Sequence, residues 1–294
     1  MTHATFTSPL TLHGFRNAVL TGACGGLGQA LAQQLLAQGG KLALLGMQPD
    51  VLENMAAQAP AQCRVYVLDV SDSAAMLRMA QDWMQFAGLP DLVIANAGVA
   101  SGFDTAQAED LPVLRRMLEI NLLGPVTTFQ PFLQALRSVP SHRCALVGMA
   151  SIAGWRGLQG NGAYCASKGG LIRYLQSLRA ELRGTGISVH TICPGYLRTP
   201  LTAHNDFAMP GLMDPADAAR IMLRRIRKGH THIVVPRRTG WLSRALACLP
   251  DAWMDALLRG QPRKARQGES GSNAIPGLNT TMPTMSSVSN RQEK

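Results

Sequence analysis

Several sequence features are scarce in this chain, and each absence excludes a class of protein. No uninterrupted apolar run reaches the roughly 18 residues that a membrane-spanning helix needs. The six cysteines lie far apart, with no CxxC pair and no Cys/His ligand spacing, so we expect reduced thiols in a cytoplasm. Residues 1–14 lack the basic start and apolar block of a secretory signal, and we expect them to be a flexible lead-in.

The motifs of two common hydrolytic classes are also missing. No G-x-S-x-G elbow occurs, and none of the seven histidines has a recognisable triad context, so the serine hydrolase pattern is excluded. His230 and His232 flank Thr231 at a predicted strand start, which favours a surface position over metal ligation. We therefore expect no metal site.

The net charge of +10 at pH 7 is concentrated late in the chain. Residues 220–266 contain twelve Lys or Arg and two Asp, a balance of +10, so the rest of the chain is neutral. A basic partner surface would therefore belong to this late segment. No recognition helix, RNA-binding signature or aromatic stacking platform accompanies the charge, and we expect no nucleic acid partner.

Short apolar runs alternate with longer helical patterns over residues 17–235, as in repeated βαβ units. The predicted strands are Ala18–Leu20, Leu42–Leu45, Val65–Leu68, Leu92–Ala95, Ala145–Val147, Ile187–Ile192 and Ile233–Val235. Apolar residues at three- and four-residue spacing predict the helices Leu27–Gln38, Ala74–Phe86, Leu111–Leu136 and Tyr164–Leu182. The pattern predicts an α/β fold, a doubly wound parallel sheet with its ligand at the carboxyl ends of the strands.

A glycine-rich turn follows the first predicted strand, and other short motifs follow it in order. The turn, Thr21–Gly28, lets backbone N–H groups and a helix N-terminus face a pyrophosphate. Its spacing is G-x-x-x-G-x-G, and taken alone it is weak because a plain turn is always an alternative. The later motifs are Asp69-Val70, Asn96-Ala97-Gly98, Asn121, Ser151, Tyr164-x-x-x-Lys168 and Pro194-Gly195.

With this ordered set the sequence resembles the short-chain dehydrogenase/reductase family over about residues 17–235. The resemblance implies a Rossmann-like sheet of order 3-2-1-4-5-6-7 in one catalytic domain, residues 15–236. It also implies an oxidoreductase that transfers a hydride between NAD(P)(H) and an alcohol or carbonyl carbon. Relatives commonly pair through the two long helices, so a homodimer or homotetramer is expected.

The resemblance also implies which residues bind the coenzyme. They are Thr21, Gly22, Gly26, Leu27, Gly28, Asp69, Val70, Asn96, Ala97, Gly98, Tyr164, Lys168, Pro194, Gly195 and Thr199. The glycines would form the phosphate loop, Asp69-Val70 would lie beside the adenine, and Asn96–Gly98 would line the ribose. Pro194-Gly195 and Thr199 would contact the nicotinamide end. Simple turns remain the alternative for Asn96–Gly98 and for Pro194-Gly195.

Tyr164 is the candidate acid/base for the proton that accompanies hydride transfer. A free phenol has a pKa of ~10, and a nearby positive charge favours its ionised form. Lys168 lies four residues further along the predicted helix, on the same face, and supplies that charge. Ser151 would polarise the substrate oxygen, while Asn121 is expected by resemblance to hold a water. The alternatives are a partly buried Tyr, a solvated Lys and a serine that caps a helix.

The choice of coenzyme and substrate depends on two later features. Leu45–Gln48 offers neither the carboxylate typical of NAD users nor the Arg that suits a 2′-phosphate, and we lean to NADP(H). Residues 196–213 are predicted to be a mobile lid whose apolar side chains favour a hydrophobic or bulky substrate. These side chains are Leu197, Leu201, Phe207, Met209, Leu212 and Met213. Trp155 and Leu158 are hypothesised to line the same pocket.

The end of the chain falls into two segments. Residues 237–266 are predicted to be a basic amphipathic helical segment with Trp241 and Trp253. It could lie on an anionic membrane surface and gather lipophilic substrate, although packing on the body or across a dimer is favoured. Residues 267–294 are rich in Ser, Asn, Thr, Gly and Pro, and are expected to be a disordered tail. An NAD(P)H sensor without catalysis is the alternative function, which the intact Ser151, Tyr164 and Lys168 oppose.

Overall fold

The computed structural model describes residues 14–203, 205, 208–260, 263–269, 272 and 275–278. Within them, seven strands form one parallel sheet in the order β3-β2-β1-β4-β5-β6-β7. The strands are β1 (Asn17–Leu20), β2 (Lys41–Gly46), β3 (Cys63–Val67), β4 (Leu92–Ala95), β5 (Cys144–Met149), β6 (Ile187–Pro194) and β7 (His232–Val235). The predicted doubly wound sheet and its strand order are confirmed.

Helices cover both faces of this sheet. They are α1 (Gly26–Leu36), α2 (Pro49–Ala56), α3 (Ser73–Ala87), α4 (Leu111–Leu118), α5 (Gly124–Arg137), α6 (Gly162–Glu181), α7 (Pro215–Arg227), α8 (Arg237–Ala247) and α9 (Asp251–Leu258). The predicted helices do not include α2 and α7. The single helix expected at Leu111–Leu136 is interrupted by a π-helical turn, Glu119–Leu123, which separates α4 from α5.

The core consists of two apolar clusters, one on each face of the sheet. Leu20 and Leu44 point to the cluster that α1 and α7 cover. Their chain neighbours Val19 and Leu45 point to the cluster that α3, α5 and α6 cover. Successive side chains of a strand alternate between faces, so a strand buried on both sides must be apolar throughout. This explains the continuous apolar runs that marked the strands in the sequence.

The end of the described chain returns to the body. We call its residues 263–269 and 275–278 the C-terminal strap. The Gly102 amide donates to the Ala265 carbonyl at 2.8 Å, and Ile275 is buried in a small cluster with residues of α4 and α6. Residues 275–278 therefore differ from the expected disorder, because they pack on the body. Residues 1–13 and 279–294, which include most of the predicted lead-in and tail, lie outside the described residues.

Candidate active site

A crevice of about 1000 Å³ opens at the carboxyl ends of the strands. Loops after β1 and β4 form its centre, which is where the strand order reverses and where such sheets bind ligands. Loops after β2, β5 and β6 form further walls, and α8 and α9 lie on the remaining side. The volume lies at the upper end of the ~300–1,000 Å³ usual for small-molecule sites.

The glycine loop after β1 packs so tightly that side chains are excluded at two positions. Gly22 has φ +64°, and a Cβ there would lie 2.7 Å from the Ala97 Cα. A Cβ at Gly28 would lie 2.1 Å from the Gly22 carbonyl oxygen. Gly25 instead faces open space, its nearest neighbour being 3.6 Å away.

The same loop leaves the start of α1 open to an anion. Within the described chain, no side chain caps this helix and no acidic residue lies in its first turn. The unsatisfied N–H groups and the positive end of the helix dipole therefore face the crevice. This arrangement fits the pyrophosphate of a dinucleotide.

Thr21 and Asn96 tie the loops after β1 and β4 together. The Thr21 hydroxyl accepts hydrogen bonds from the Asn96 amide at 3.0 Å and the Ala97 amide at 3.1 Å. In return, the Asn96 side-chain amide donates to the carbonyls of Thr21 at 3.2 Å and Gly22 at 3.1 Å. Asn96 thus holds the end of β4 against the glycine loop.

Asp69, expected beside the adenine, lines the crevice but is already paired within the protein. Its carboxylate forms an ion pair with Arg116 and accepts from the amide and hydroxyl of Ser71 at 2.9 and 2.8 Å. Burial alone would raise the pKa of Asp69, but these hydrogen bonds outweigh burial and hold the pKa below its usual value. Arg116 was not among the residues predicted from the sequence.

The wall after β2 is neutral, as its sequence indicates. Gly46, Met47 and Gln48 line it together with Cys24 of the glycine loop. A Cβ at Gly46 would lie 2.4 Å from the Cys24 sulfur, so the two loops are in close contact there. The Cys24 thiol points to the Gln48 carbonyl at 3.7 Å.

Tyr164 and Lys168 lie one turn apart on α6 and share one wall of the crevice. The Lys168 Nζ is 5.9 Å from the centroid of the Tyr164 ring and donates to the Met149 carbonyl at 2.8 Å. Burial lowers the pKa of Lys168 to about 8. Burial also raises the pKa of Tyr164 to about 12, and a hydrogen bond with the Ser151 side chain opposes that rise. The sequence predicts that Lys168 favours the ionised phenol, but in the protein alone burial dominates and the phenol pKa is raised.

Ser151 lies at the end of β5 and has two local roles. Its hydroxyl accepts from the Ala153 amide at 3.1 Å and caps the 3-10 turn Ile152–Gly154. The same side chain is hydrogen-bonded to Tyr164. The cap that the sequence left open therefore occurs, and the hydrogen bond to Tyr164 adds a contact that was not predicted; polarisation of the substrate oxygen stays a prediction.

Asn121 is fully buried in the π-helical turn between α4 and α5. Its Nδ2 group donates to the Val99 carbonyl at 2.9 Å and the Ser167 hydroxyl at 3.0 Å, and its Oδ1 accepts from the Val99 amide at 2.9 Å. Both side-chain N–H groups are therefore used within the protein. A Cβ at Gly98 would lie 3.2 Å from both Asn121 Oδ1 and Lys168 Nζ. The absence of a side chain at Gly98 therefore leaves room for both of these groups beside it.

The predicted lid, residues 196–213, starts after Pro194 and Gly195 and crosses toward the glycine loop. A Cβ at Gly26 would lie 3.0 Å from the Thr199 methyl group. Of the six apolar lid residues named from the sequence, Leu197 and Leu201 line the crevice. Met209, Leu212 and Met213 are described but are not among its lining residues, and Phe207 lies outside the described residues. Trp155 and Leu158 line the crevice, as hypothesised.

Helices α8 and α9 contribute apolar side chains to the crevice, including Leu246 and Met254. Arg156 binds the turn between them, donating to the Ala247 and Leu249 carbonyls at 3.3 and 2.7 Å and pairing with Asp251 at 2.5 Å. The C-terminal strap adds Lys264 and Pro276 to the same wall. Packing of residues 237–266 on the body was favoured from the sequence, but their contribution to the crevice and the roles of Arg156 and the strap were not predicted, because they join parts of the chain far apart in sequence.

Two further observations concern metals and membranes. Among the described residues, no group of three or more His, Cys, Asp or Glu side chains is arranged to hold a metal ion. None of the helices in the same residues has both the length and the apolarity that crossing a bilayer requires.

Comparison with known proteins identifies similar chains. A family model described as short chain dehydrogenase matches residues 16–208. An uncharacterized oxidoreductase of Myxococcus xanthus is 37% identical over 250 residues, which cover 83% of this chain and 97% of that relative. A short-chain dehydrogenase/reductase from Burkholderia phymatum in complex with NAD superposes with a TM-score of 0.70 at 22% identity, covering 80% of this chain and 93% of the other. A short-chain dehydrogenase from Burkholderia cenocepacia in complex with NADP gives 0.71 at 22% identity, covering 84% and 98%.

Proposed function

The chain belongs to the short-chain dehydrogenase family, and from this premise we propose that it transfers a hydride between NAD(P)(H) and an alcohol or carbonyl carbon. The observation that carries the proposal is the cluster of Ser151, Tyr164 and Lys168 on one wall of the crevice. The serine is hydrogen-bonded to the tyrosine, and the ammonium lies 5.9 Å from the tyrosine ring. The glycine loop across the crevice supports a dinucleotide beside them.

In this proposal each of the three side chains has a distinct role. Bound NAD(P)H supplies the hydride for reduction, and bound NAD(P)+ accepts it for oxidation. Tyr164 gives its phenolic proton to the oxygen of the carbonyl group as that oxygen becomes an alcohol. Ser151 donates a hydrogen bond to the same oxygen and orients it. Lys168 places a positive charge below the phenol, which favours its ionised form after the proton has left.

The test is oxidation of NADPH and NADH with a panel of ketones. Tyr164→Phe should lower kcat by about 10²–10⁴-fold, the usual contribution of a positioned general acid. Tyr174→Phe, on the same helix, is the matched control and should leave turnover unchanged. Turnover that survives Tyr164→Phe at full rate would overturn the mechanism. Tight NAD(P)H binding without turnover of any ketone by the wild-type chain would instead favour the sensor alternative.

We propose NADP(H) as the preferred coenzyme. The wall after β2 carries Met47 and Gln48 and has no carboxylate to repel a 2′-phosphate. Solved structures of similar fold contain either NAD or NADP, so this preference rests on the wall alone. Fluorescence titration with NADPH and NADH measures it, and tighter binding of NADH would reverse the assignment.

We also propose a hydrophobic or bulky substrate. Trp155, Leu158, Leu246 and Met254 supply apolar surface to the crevice wall. Apolar burial contributes roughly 25 cal/mol per Å², so such a wall favours long-chain or cyclic ketones over small sugars. Faster turnover of small polar sugars would contradict this substrate class.

A second candidate is a reductase that works at a membrane surface. Trp241 and Trp253 are 71% and 68% exposed, and the exposed Arg237, Arg238 and Arg259 lie on the same two helices or their ends. Exposed aromatics with basic residues suit an anionic bilayer, while contact with another copy of the chain is the alternative. Vesicle flotation of the full chain, compared with a Trp241→Ala/Trp253→Ala variant, distinguishes membrane contact from contact with another copy. Equal soluble fractions would remove the membrane contact.

The remaining organisation of the protein is proposed as follows. Residues 15–236 form one catalytic domain, and 237–266 a helical addition that closes the crevice. Family resemblance supports a homodimer or homotetramer through α4, α5 and α6, which light scattering after size exclusion can measure. All six cysteines are free thiols, which suits the proposed cytoplasmic location.

A further inference from the structure

Most charged side chains of the crevice already have partners. Asp69 pairs with Arg116, and Arg156 pairs with Asp251. Lys168 donates to a main-chain carbonyl beside Tyr164 and belongs to the proposed catalytic cluster. These groups are therefore accounted for by the coenzyme site, by the turn between α8 and α9, or by the proposed chemistry.

Lys264 of the C-terminal strap differs from all of them. Its Nζ donates to the Leu201 carbonyl at 3.4 Å, which is long for an N–H···O hydrogen bond. No carboxylate among the described residues forms an ion pair with it. An ammonium has three donors, so one long contact leaves most of its hydrogen-bonding capacity unused.

The main chain around Lys264 is anchored beside Gly102 and Gly160. The Gly102 amide donates to the Ala265 carbonyl at 2.8 Å, and a Cβ at Gly160 would lie 2.7 Å from the Arg263 Cβ. Gly160 lies two residues before α6, the helix that carries Tyr164. From this root the lysine reaches across to Leu201 of the lid. It therefore lines the crevice between the segment that leads into α6 and the lid, whose Thr199 also approaches Gly26 of the glycine loop.

The surroundings of Lys264 disfavour an unpaired charge. The Lys264 side chain is half-buried, and burial lowers the pKa of Lys264 to about 8. A buried cation without a partner is costly, whereas a bound anion offsets that cost. Lys264 is therefore a half-buried cation that forms no ion pair among the described residues.

We propose that Lys264 binds the carboxylate of an amphiphilic substrate, so that the substrate is an oxo acid or hydroxy acid with an apolar chain. The inference rests on the proposed function and names the substrate class of the same site. One ammonium matches the single charge of a carboxylate, while phosphate groups commonly bind several donors or a helix N-terminus. The apolar wall formed by residues such as Leu246 and Met254 would accept the chain.

The first experiment measures binding and needs no turnover. Octanoate and 1-octanol share one chain length and differ in charge, and calorimetry on the full chain compares their affinities at pH 7. Octanoate should bind at least about tenfold more tightly than 1-octanol, the size expected of a charge-assisted hydrogen bond. Lys264→Met should abolish this difference, and Lys264→Arg should keep it. Lys228→Met removes an exposed lysine at the end of α7 and is the charge-matched control.

Several outcomes would overturn the proposal. Equal affinities in the wild-type chain, or a preference for octanoate that persists in Lys264→Met, would each do so. Weaker NADPH binding by Lys264→Met, with the octanoate preference intact, would assign the lysine to a coenzyme phosphate instead. Thermal melting checks that Lys264→Met folds, and its melting temperature should equal or exceed that of the wild type because a half-buried charge is removed.

A second measurement separates this proposal from the hydride-transfer proposal. An eight-carbon oxo acid and its methyl ester are compared as substrates, and the wild-type chain should favour the acid by about tenfold or more in kcat/KM. Lys264→Met should remove the preference mainly through KM. If the chain binds octanoate through Lys264 but reduces no ketone, the hydride-transfer proposal is contradicted and the role of Lys264 is not. If it reduces the acid and the ester equally well, the role of Lys264 is contradicted and hydride transfer is not.

Discussion

Burial sets the protonation of the two central residues of the site. The pKa of Tyr164 is raised to about 12 and that of Lys168 is lowered to about 8, with burial as the main cause of both shifts. At pH 7 the pair is therefore a neutral phenol beside an ammonium. This is the state that can give a proton to a carbonyl oxygen, so the protein alone is prepared for reduction. Oxidation needs a further influence that favours the phenolate, and a positively charged ligand beside the phenol is one.

The buried ammonium of Lys168 should reduce the stability of the fold. Its pKa lies below the 10.5 of an ordinary lysine, so the unfolded chain binds the proton more tightly than the folded chain. The loss of folding stability caused by the buried ammonium is complete below pH 8. It decreases as the pH rises from about 8 toward 10.5. Lys168→Met should therefore raise the free energy of unfolding at pH 7 by about 1–3 kcal/mol while activity falls.

Urea unfolding at pH 7 and at pH 9.5 measures this effect. The advantage of Lys168→Met over the wild type should be smaller at the higher pH, because the folded wild-type chain has by then lost the proton. Lys228→Met, at an exposed position, should change stability little at either pH. A destabilised Lys168→Met variant would show that the hydrogen bond to the Met149 carbonyl outweighs the burial of the charge.

At the scale of elements, the contact between the glycine loop and α1 allows a comparison of two glycines. Gly28→Ala puts a Cβ 2.1 Å from the Gly22 carbonyl oxygen, and backbone atoms cannot rotate away. We expect the free energy of unfolding to fall by about 1–3 kcal/mol, despite the better helix propensity of alanine. Urea unfolding at pH 7 measures this change, and NADPH titration should show weaker binding because α1 is displaced.

Gly25→Ala is the matched control for stability in the same loop. Its φ is −73°, and a Cβ there meets nothing closer than 3.6 Å. Alanine fits that backbone and restricts the unfolded chain, so stability should stay equal or rise by up to about 1 kcal/mol. If both variants lost stability equally, close packing of the loop on α1 would not be the cause.

The elements differ in how well the sequence predicts them. Strand β4 was predicted at its observed bounds, and the other strands within two residues at each end, because a strand covered on both faces must be apolar throughout. Helix α2 is only eight residues long and was not predicted. The break between α4 and α5 also escaped prediction, since the apolar spacing runs through the π-helical turn that positions Asn121. The spacing of apolar residues indicates which side chains are buried. It does not show where the backbone hydrogen bonds of a helix change from the α to the π pattern.

The residues of the site also differ in how well the sequence predicts them. Tyr164, Lys168 and Ser151 were identified because their motifs follow predicted strands or lie one helical turn apart. Lys264 and Arg156 were not, because their positions depend on contacts between distant parts of the chain. Arg156, for example, binds a turn that begins 91 residues later. No spacing rule on a single sequence reports such contacts, although the clustered charge of residues 220–266 marked the segment that contains Lys264.

At the scale of the whole molecule, the C-terminal strap joins the end of the chain to its middle. Arg266 pairs with the buried Asp110, and Arg116 donates to the Pro276 carbonyl at 2.9 Å. These contacts span more than 150 residues of sequence and hold Lys264 over the crevice. The position of Lys264 over the crevice therefore depends on an ion pair between residues 156 apart in sequence.

Loss of the Asp110 charge should release the strap. Asp110→Asn removes the partner of Arg266 and weakens an acceptor that also binds the Asp104 amide at 2.7 Å, so we expect a cost of about 1–3 kcal/mol. Local opening should then be roughly tenfold or more populated, and trypsin should cut at the basic residues 263–266 correspondingly faster. Mass spectrometry of timed digests measures the rate of cleavage.

Asp217→Asn, which breaks an exposed ion pair, is the control and should leave cleavage unchanged. Equal cleavage of Asp110→Asn and the wild type would mean that the apolar contacts of Ile275 hold the strap without the ion pair.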